Sequence, residues 1–186
     1  MGYVPSRGSQ SYSFVNQKSG EPFYLNANCF AHACFNLTNE KMQEINLGYN
    51  DALSFADHVT LFSSIYDIEE SLLKFIKATG LKIRQINNFD PIINLPTLLK
   101  NNEWKVALYF CKNGSFKDFH FFLQEKDGNW SSKYGFNNNI EIFNKLPEKY
   151  CVNNEYKDTY YYHNTYLITN PYAPEIENKE ECEHER

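Results

Sequence analysis

One cysteine and one histidine of this chain stand in settings typical of a thiol nucleophile and its base. Cys29 lies in the run Asn26-Ala27-Asn28-Cys29-Phe30-Ala31-His32-Ala33-Cys34, where a polar segment gives way to an apolar, alanine-containing one. His120 lies in Asp118-Phe119-His120-Phe121-Phe122, with phenylalanine on both sides. A nucleophilic thiolate needs a base and a lowered pKa, which a helix N-terminus and an imidazolium partner supply. The pattern predicts that Cys29 attacks, that His120 takes its proton, and that the Cys29 pKa lies below its usual value.

A second histidine competes with His120 for the role of base. His32 lies three residues after Cys29 on the same predicted helix, so its ring falls on a neighbouring part of the helix surface. Helical side chains near a nucleophile usually pack or line a pocket. We therefore prefer His120 as the general base and keep His32 as its rival.

Three further residues near the two motifs have both a structural and a functional interpretation: Asn26, Asn28 and Trp130. The two asparagines make the turn before the helix, or one of their amides joins the Cys29 backbone N–H in an oxyanion hole. The tryptophan is a core residue, or it lines the pocket and shields the Cys–His pair from water.

The elements that must position these residues follow from the hydrophobic periodicity. Apolar residues at helical spacing predict a helix that begins at Cys29, a second at about 53–62, and a third from an Asp67 N-cap to Gly80. Beyond Gly80 the period changes to that of strands, which are predicted near 81–86, 106–111, 119–124, 129–134, 140–143 and 159–168. Helices followed by an antiparallel sheet predict an α+β domain.

Length and composition limit the possible partners. The 186 residues fit one domain, predicted at 21–174 between a flexible arm at 1–20 and an acidic, mobile tail at 175–186. A net charge of −5 without a basic cluster argues against nucleic acid, and no apolar run is long enough to span a bilayer. The five cysteines are irregularly spaced and lack a CxxC pair, which predicts free thiols, no metal and no cofactor.

The order of these motifs resembles the papain-like fold, with a cysteine at a helix start, a histidine on a central strand and a hairpin after it. Cys29-Phe30-Ala31-His32-Ala33 resembles the papain-like nucleophile pattern. Asp118-Phe119-His120-Phe121-Phe122, followed by Asp127-Gly128 and Trp130-Ser131-Ser132-Lys133, is similar to a bacterial family with Asn-Cys-aromatic-Ala and Asp-aromatic-His-aromatic motifs. More distantly, the sequence is similar to the RavD-type effectors, deubiquitinases of linear ubiquitin chains with a Cys–His–Ser triad.

This resemblance implies a papain-like cysteine peptidase of bacterial effector type. The implied substrate is a protein, with ubiquitin or a ubiquitin chain as the leading example. The implied location is the cytoplasm, or the cytosol of a host cell after secretion by a specialised system that needs no cleavable signal peptide.

One departure from the family pattern concerns the group that orients His120. Where the family has a second histidine, in Trp-Ser-His-Lys, this chain has Ser132. Ser132 is our preferred orienting residue because it lies on the strand that returns from the Asp127-Gly128 turn. A two-residue turn would place it opposite Leu123, so contact with His120 requires a diagonal reach or a β-bulge. Three other candidates stay open: Ser131, Asn137 and Asp158.

The residues favour a hydrolase but leave two other functions open. In the hydrolase, Cys29 attacks a carbonyl, His120 moves the proton, and water resolves the acyl-enzyme. Glutamine deamidases and transglutaminase-like acyl transferases use the same Cys–His pair and differ in what fills the acceptor side. A non-catalytic protein-interaction domain on the same fold is the third possibility, favoured by the missing second histidine.

Overall fold

The computed structural model describes residues 29–35, 64–87, 99–100, 102–113, 116–134, 140–151 and 159–172. This part of the chain is α+β and contains an α-helix and a seven-stranded antiparallel sheet. No helix in the described ranges is long and apolar enough to cross a membrane. Several predictions fall outside the described residues: Asn26, Asn28, Asn137, Asp158, the helix at 53–62, the arm and the tail.

Helix α1 spans Ile65–Ala78 and begins one turn earlier than the sequence predicted. Its N-cap is Ser64, and Asp67 is the N3 partner in a capping box, so the prediction of Asp67 as N-cap was wrong. The helix ends before Gly80, whose φ of 91° favours glycine at the position after the cap. The apolar stripe is fully buried: Ile68, Leu72 and Ile76.

The strands follow in chain order as β1 (Lys82–Ile86), β2 (Glu103–Asn113), β3 (Phe116–Gln124), β4 (Trp130–Lys133), β5 (Ile140–Phe143), β6 (Lys149–Cys151) and β7 (Thr159–Thr169). Their order in the sheet is β1-β7-β2-β3-β4-β5, and β6 also pairs with β7. Six of the seven strands match predicted ones. The three-residue β6 was not predicted, because it is too short to show a period of two.

Each face of the sheet carries its own core. On one face, α1 and residues 29–35 pack on side chains such as Leu108, Phe119 and Phe121, and we call this the helix face. On the other face lies a second cluster, formed by Ala107, Tyr109, Cys111, Phe122, Trp130, Tyr150 and Tyr160. Although β6 pairs with β7, the Tyr150 ring lies 5.2 Å from that of Phe122 in β3. The sheet therefore curls around this second cluster, and we call its side the concave face.

The β3–β4 hairpin has one more loop residue than the sequence predicted. Glu125 N–H donates to Asn129 O at 2.8 Å and Gly128 N–H donates to Glu125 O at 3.0 Å, with Gly128 at a φ of 89°. This is a three-residue loop, in which a type I turn is followed by a glycine in the left-handed region. The pairing shifts by one residue relative to a two-residue turn, so Ser132 lies opposite Phe122 and not opposite Leu123.

Candidate active site

The segment that carries Cys29 packs closely on β3. Its backbone is α-helical at Cys29 and Phe30 and continues as a π-helix over Ala31–Phe35, a form that recurs at functional sites. The Phe30 ring lies 5.6 Å from that of Phe121. At the other end of the segment, Trp104 Nε1 donates to the Ala33 carbonyl at 3.2 Å. These contacts hold the segment in a fixed position against the sheet.

The Cys29 sulfur lies at the backbone of β3. It accepts hydrogen bonds from the backbone N–H groups of Phe121 and Phe30. In the described part of β3 only Phe122–Gln124 pairs with β4, and the Phe121 N–H donates to the sulfur instead. Four charged or phenolic groups of the described residues interact electrostatically with the sulfur: Asp118, Lys133, Tyr150 and Tyr160. A direct hydrogen bond between Cys29 and His120 stays a prediction.

The prediction of a lowered thiol pKa was wrong for the structure as it stands. Cys29 is only 8% exposed, and its pKa is raised to about 12 by this burial and, to a smaller extent, by the nearby Asp118 carboxylate. The Phe121 N–H, the Phe30 N–H and Lys133 act in the opposite direction, but they do not overcome the loss of hydration. Cys29 is therefore a neutral thiol at pH 7.

His120 lies on the concave face with its ring nitrogen on the predicted orienting residue. Its Nε2 makes a short hydrogen bond with Ser132 Oγ. A one-residue change of register sends every side chain of a strand to the opposite face, so a two-residue turn would have turned Ser132 away from His120. The three-residue loop puts Ser132 opposite Phe122, on the face of His120 and diagonal to it. Of the two arrangements that the sequence allowed, a diagonal reach or a β-bulge, the structure has the diagonal reach.

Aromatic rings enclose His120 and keep it neutral. Tyr150 stacks on the imidazole at a centroid distance of 4.8 Å and an angle of 17°, and Phe122 meets it edge-on at 5.3 Å. Burial, and to a smaller extent the nearby His32, lowers the pKa of His120 to about 3. An unprotonated imidazole can accept the thiol proton, which is the state that a general base requires.

The rival histidine belongs to a separate hydrogen-bonded chain on the helix face. His32 Nε2 lies 3.0 Å from Ser131 Oγ, and Ser131 Oγ–H donates to Glu125 Oε1 at 2.5 Å. Since the one serine proton is given to the carboxylate, His32 must be the donor in its bond with Ser131. Burial and the nearby Lys133 lower the pKa of His32 to about 3. Ser131, one of the alternative orienting residues, is thus paired with His32.

The structure also describes the surroundings of Trp130 and the state of the cysteines. Trp130 packs in the cluster of the concave face, with Lys105 Nζ 6.0 Å from its ring centre. Four cysteines in the described ranges are free thiols, as predicted: Cys29, Cys34, Cys111 and Cys151. A cavity of about 870 Å³ opens on the concave face, and neither Cys29 nor His120 lines it.

The sequence did not predict four polar residues of the site: Glu125, Lys133, Glu141 and Tyr150. Lys133 is fully buried, and burial lowers its pKa to about 8. These residue types are usually exposed on strands or in turns, so the sequence carries no signal that they converge. Only the register of the β3–β4 hairpin, together with the curl of the sheet, brings them to the two histidines.

A scan against protein-family models finds no family that matches this sequence, and a search of curated proteins finds no match. The resemblance to papain-like peptidases therefore stays a prediction that depends on the motifs around Cys29 and His120.

Proposed function

We propose that this protein is a cysteine hydrolase of papain-like type, with Cys29 as nucleophile, His120 as general base and Ser132 as orienting residue. The observation that carries the proposal is the hydrogen bond between His120 Nε2 and Ser132 Oγ, one residue along β3 from the Phe121 N–H that donates to the Cys29 sulfur. The bond occupies one nitrogen of the imidazole and leaves Nδ1 for the thiol proton. A thiol, an imidazole and a group that orients it are the parts that acyl transfer through a cysteine requires.

The proposed reaction begins from a neutral pair. His120 Nδ1 takes the proton as the Cys29 sulfur attacks the substrate carbonyl carbon, and the carbonyl electrons move to oxygen. The imidazolium and the developing anion attract each other strongly because the site is shielded from water. His120 then returns the proton to the departing amine, which leaves a thioester on Cys29. A water molecule, deprotonated by His120, hydrolyses the thioester and releases the acid.

The oxyanion that forms in this step needs hydrogen-bond donors. The Cys29 backbone N–H is one candidate, and the amides of Asn26 or Asn28 are the candidates from the sequence. Donors of this kind are typically worth about 100- to 1,000-fold in rate. The buried Lys133 adds a positive charge within electrostatic range of the sulfur and so favours the anionic states of the reaction.

The proposed substrate is a protein, with ubiquitin or a ubiquitin chain as the first to test. The support is the likeness of the two motifs, at residues 26–34 and 118–133, to bacterial effector deubiquitinases. Under this proposal the protein is an effector that acts in the cytosol of a host cell. No cofactor is needed for the chemistry.

One observation favours a second candidate, a non-catalytic protein-interaction domain. Cys29 is almost fully buried and its pKa is raised to about 12, which is the environment of a packing thiol. A hydrolase with this resting structure must admit a substrate carbonyl to the sulfur. An interaction domain needs no such opening.

Incubation with a panel of di-ubiquitins and with mono-ubiquitin, followed by intact-mass spectrometry, tests the proposal. We expect chain cleavage that disappears in Cys29→Ala and His120→Ala. Cys151→Ala, which removes the exposed thiol of β6, is the matched control and should stay active. A mass gain that corresponds to glutamine deamidation would assign the same pair to a deamidase. Absence of both products, together with ubiquitin binding by every variant, would support the interaction domain.

A further inference from the structure

The cavity of about 870 Å³ on the concave face combines aromatic and polar side chains. Four of the residues that line it are buried and belong to paired strands of the sheet: Tyr109, Gln124, Trp130 and Thr165. We call these four residues the floor of the cavity. Sites for small molecules usually have volumes of about 300–1,000 Å³, so this cavity is large enough for a bound molecule.

One polar atom of the floor lacks a hydrogen-bond partner. The Gln124 amide is held in one orientation because its Nε2 donates to the Gly128 carbonyl at 3.2 Å. The Gln124 Oε1 atom is buried and has no partner within the described ranges. Leaving a buried acceptor unpaired is costly, and most such groups in proteins do find a donor. Since Gln124 lines the cavity, a ligand in the cavity can supply that donor.

The rest of the lining indicates what kind of molecule the donor belongs to. Tyr109, Trp130 and Tyr162 contribute aromatic rings, and Tyr162 is 42% exposed. The faces of such rings carry partial negative charge and attract C–H groups. Planar amide and carboxylate groups lie at exposed positions of the lining, for example on Asn144 and Glu148. A sugar matches both features, because its C–H face packs on rings and its hydroxyls donate and accept hydrogen bonds.

Other classes of ligand fit this lining less well. Among the described residues, the charged groups that line the cavity are Asp127, Glu148 and Lys145, so carboxylates outnumber ammonium groups and disfavour a phosphate-bearing ligand. An extended peptide can pair with a sheet only at an open edge, whereas the floor lies on the face of strands that pair with one another. A purely apolar ligand would leave Gln124 Oε1 without a donor.

We propose that this cavity is a binding site for a neutral oligosaccharide. In this site a sugar hydroxyl donates to Gln124 Oε1, and a sugar ring packs on the side chains of Trp130 and Tyr162. The proposal does not depend on the proposed hydrolase, because neither Cys29 nor His120 lines the cavity. It gives the protein a second ligand, on the same face of the sheet as His120.

The two tryptophans of the chain provide a probe and its internal control. The ¹⁵N-labelled protein is titrated by NMR with a panel of neutral oligosaccharides built from glucose, galactose, mannose or N-acetylglucosamine, and Trp130→Phe assigns the two indole N–H signals. We expect at least one saccharide to shift the Trp130 signal. The Trp104 signal should not move, since Trp104 is buried on the helix face and its Nε1 donates to the Ala33 carbonyl. No shift with any saccharide, or equal shifts of both signals, would overturn the proposal.

Removing the unpaired acceptor tests the role of Gln124. Gln124→Leu should weaken binding of the saccharide that shifts Trp130 by about 10-fold or more, because the sugar hydroxyl loses its acceptor. The free Gln124→Leu protein should unfold at an unchanged or higher temperature, since leucine replaces a buried oxygen without a partner. Gln85→Leu, at an exposed position of β1 outside the lining, is the control and should bind normally. Unchanged binding in Gln124→Leu would contradict the proposed hydrogen bond.

A pair of substitutions at Tyr162 tests the ring contact. Tyr162→Phe and Tyr162→Leu both remove the hydrogen bond between Tyr162 Oη and Thr165 Oγ1, and only Tyr162→Phe keeps an aromatic ring. Tyr162→Leu should weaken binding by about 3- to 10-fold, and Tyr162→Phe should bind nearly as the wild type does. Tyr66→Leu, which removes an exposed tyrosine of α1 outside the lining, should have no effect. Equal losses in Tyr162→Phe and Tyr162→Leu would contradict the packing of a sugar on this ring.

Discussion

Because two histidines are buried, the stability of the fold should depend on pH. His32 and His120 are 2% and 1% exposed, and burial lowers the pKa of each from 6.5 to about 3. The unfolded chain therefore binds more protons than the folded chain between pH 6.5 and pH 3. Stability from these groups is fully present above pH 6.5 and falls as the pH decreases toward 3.

The size of the effect follows from the two pKa values. Between pH 7 and pH 5, each imidazole should lower the free energy of unfolding by about 2 kcal/mol, so the pair accounts for about 4 kcal/mol. That is a large part of the roughly 5–15 kcal/mol by which domains are usually stable. Urea unfolding at pH 7, 6 and 5, followed by tryptophan fluorescence, measures it directly.

Single variants show how much of the stability loss at low pH each histidine causes. His32→Gln and His120→Gln should each remove about half of the pH dependence, whatever they do to stability at pH 7. His163→Gln is the control, because His163 is partly exposed and pairs with the Glu69 carboxylate on the protein surface. A wild-type stability that does not change from pH 7 to 5, or an equal slope in all three variants, would refute the neutral, buried state of these histidines.

Two further outcomes follow from the same site. Ser132→Ala should lower kcat about 10- to 100-fold, because a hydroxyl aligns the imidazole without supplying a full charge. Ser131→Ala, which removes the partner of His32, should lower kcat less. A larger loss of kcat in Ser131→Ala than in Ser132→Ala would assign the orienting role to Ser131. In the free protein, iodoacetamide at pH 7 should label the exposed Cys151 before Cys29, because burial keeps Cys29 as a neutral thiol. Peptide mapping measures the order of labelling. If Cys29 is labelled first, its thiol is more accessible and more acidic than the structure indicates.

The sheet could be predicted from the sequence because its signals are local. Alternation and β-branched or aromatic content place β2, β3 and β7 within a few residues of their observed ends, and Gly80 marks the end of α1. The N-cap was misplaced by one turn because Ser64 and Asp67 both suit a helix start, and only the capping box shows which residue has which role.

The candidate site could be predicted only in part because it depends on register and burial. The contact between Ser132 and His120 requires one loop residue more than Asp127-Gly128, namely Lys126, and a sequence containing Asp-Gly does not distinguish this loop from a two-residue turn. The thiol pKa was predicted in the wrong direction because the helix-start argument omits desolvation, which is the largest contribution for a buried group. Tyr150 and Glu141 belong to the site only because the sheet curls, and the sequence does not predict that curl.

The most direct test of the nucleophile is capture by a substrate-like electrophile. Ubiquitin and linear di-ubiquitin with a C-terminal propargylamide are incubated with the wild type, Cys29→Ala and His120→Ala, and the modified residue is mapped by mass spectrometry. Unassisted chemistry would favour the exposed Cys151, so modification of the buried Cys29 requires that the site binds the probe and activates the thiol. We predict an adduct at Cys29 that is absent in Cys29→Ala and strongly reduced in His120→Ala. An adduct at Cys151 that forms equally in all three proteins, with Cys29 unmodified, would contradict the account.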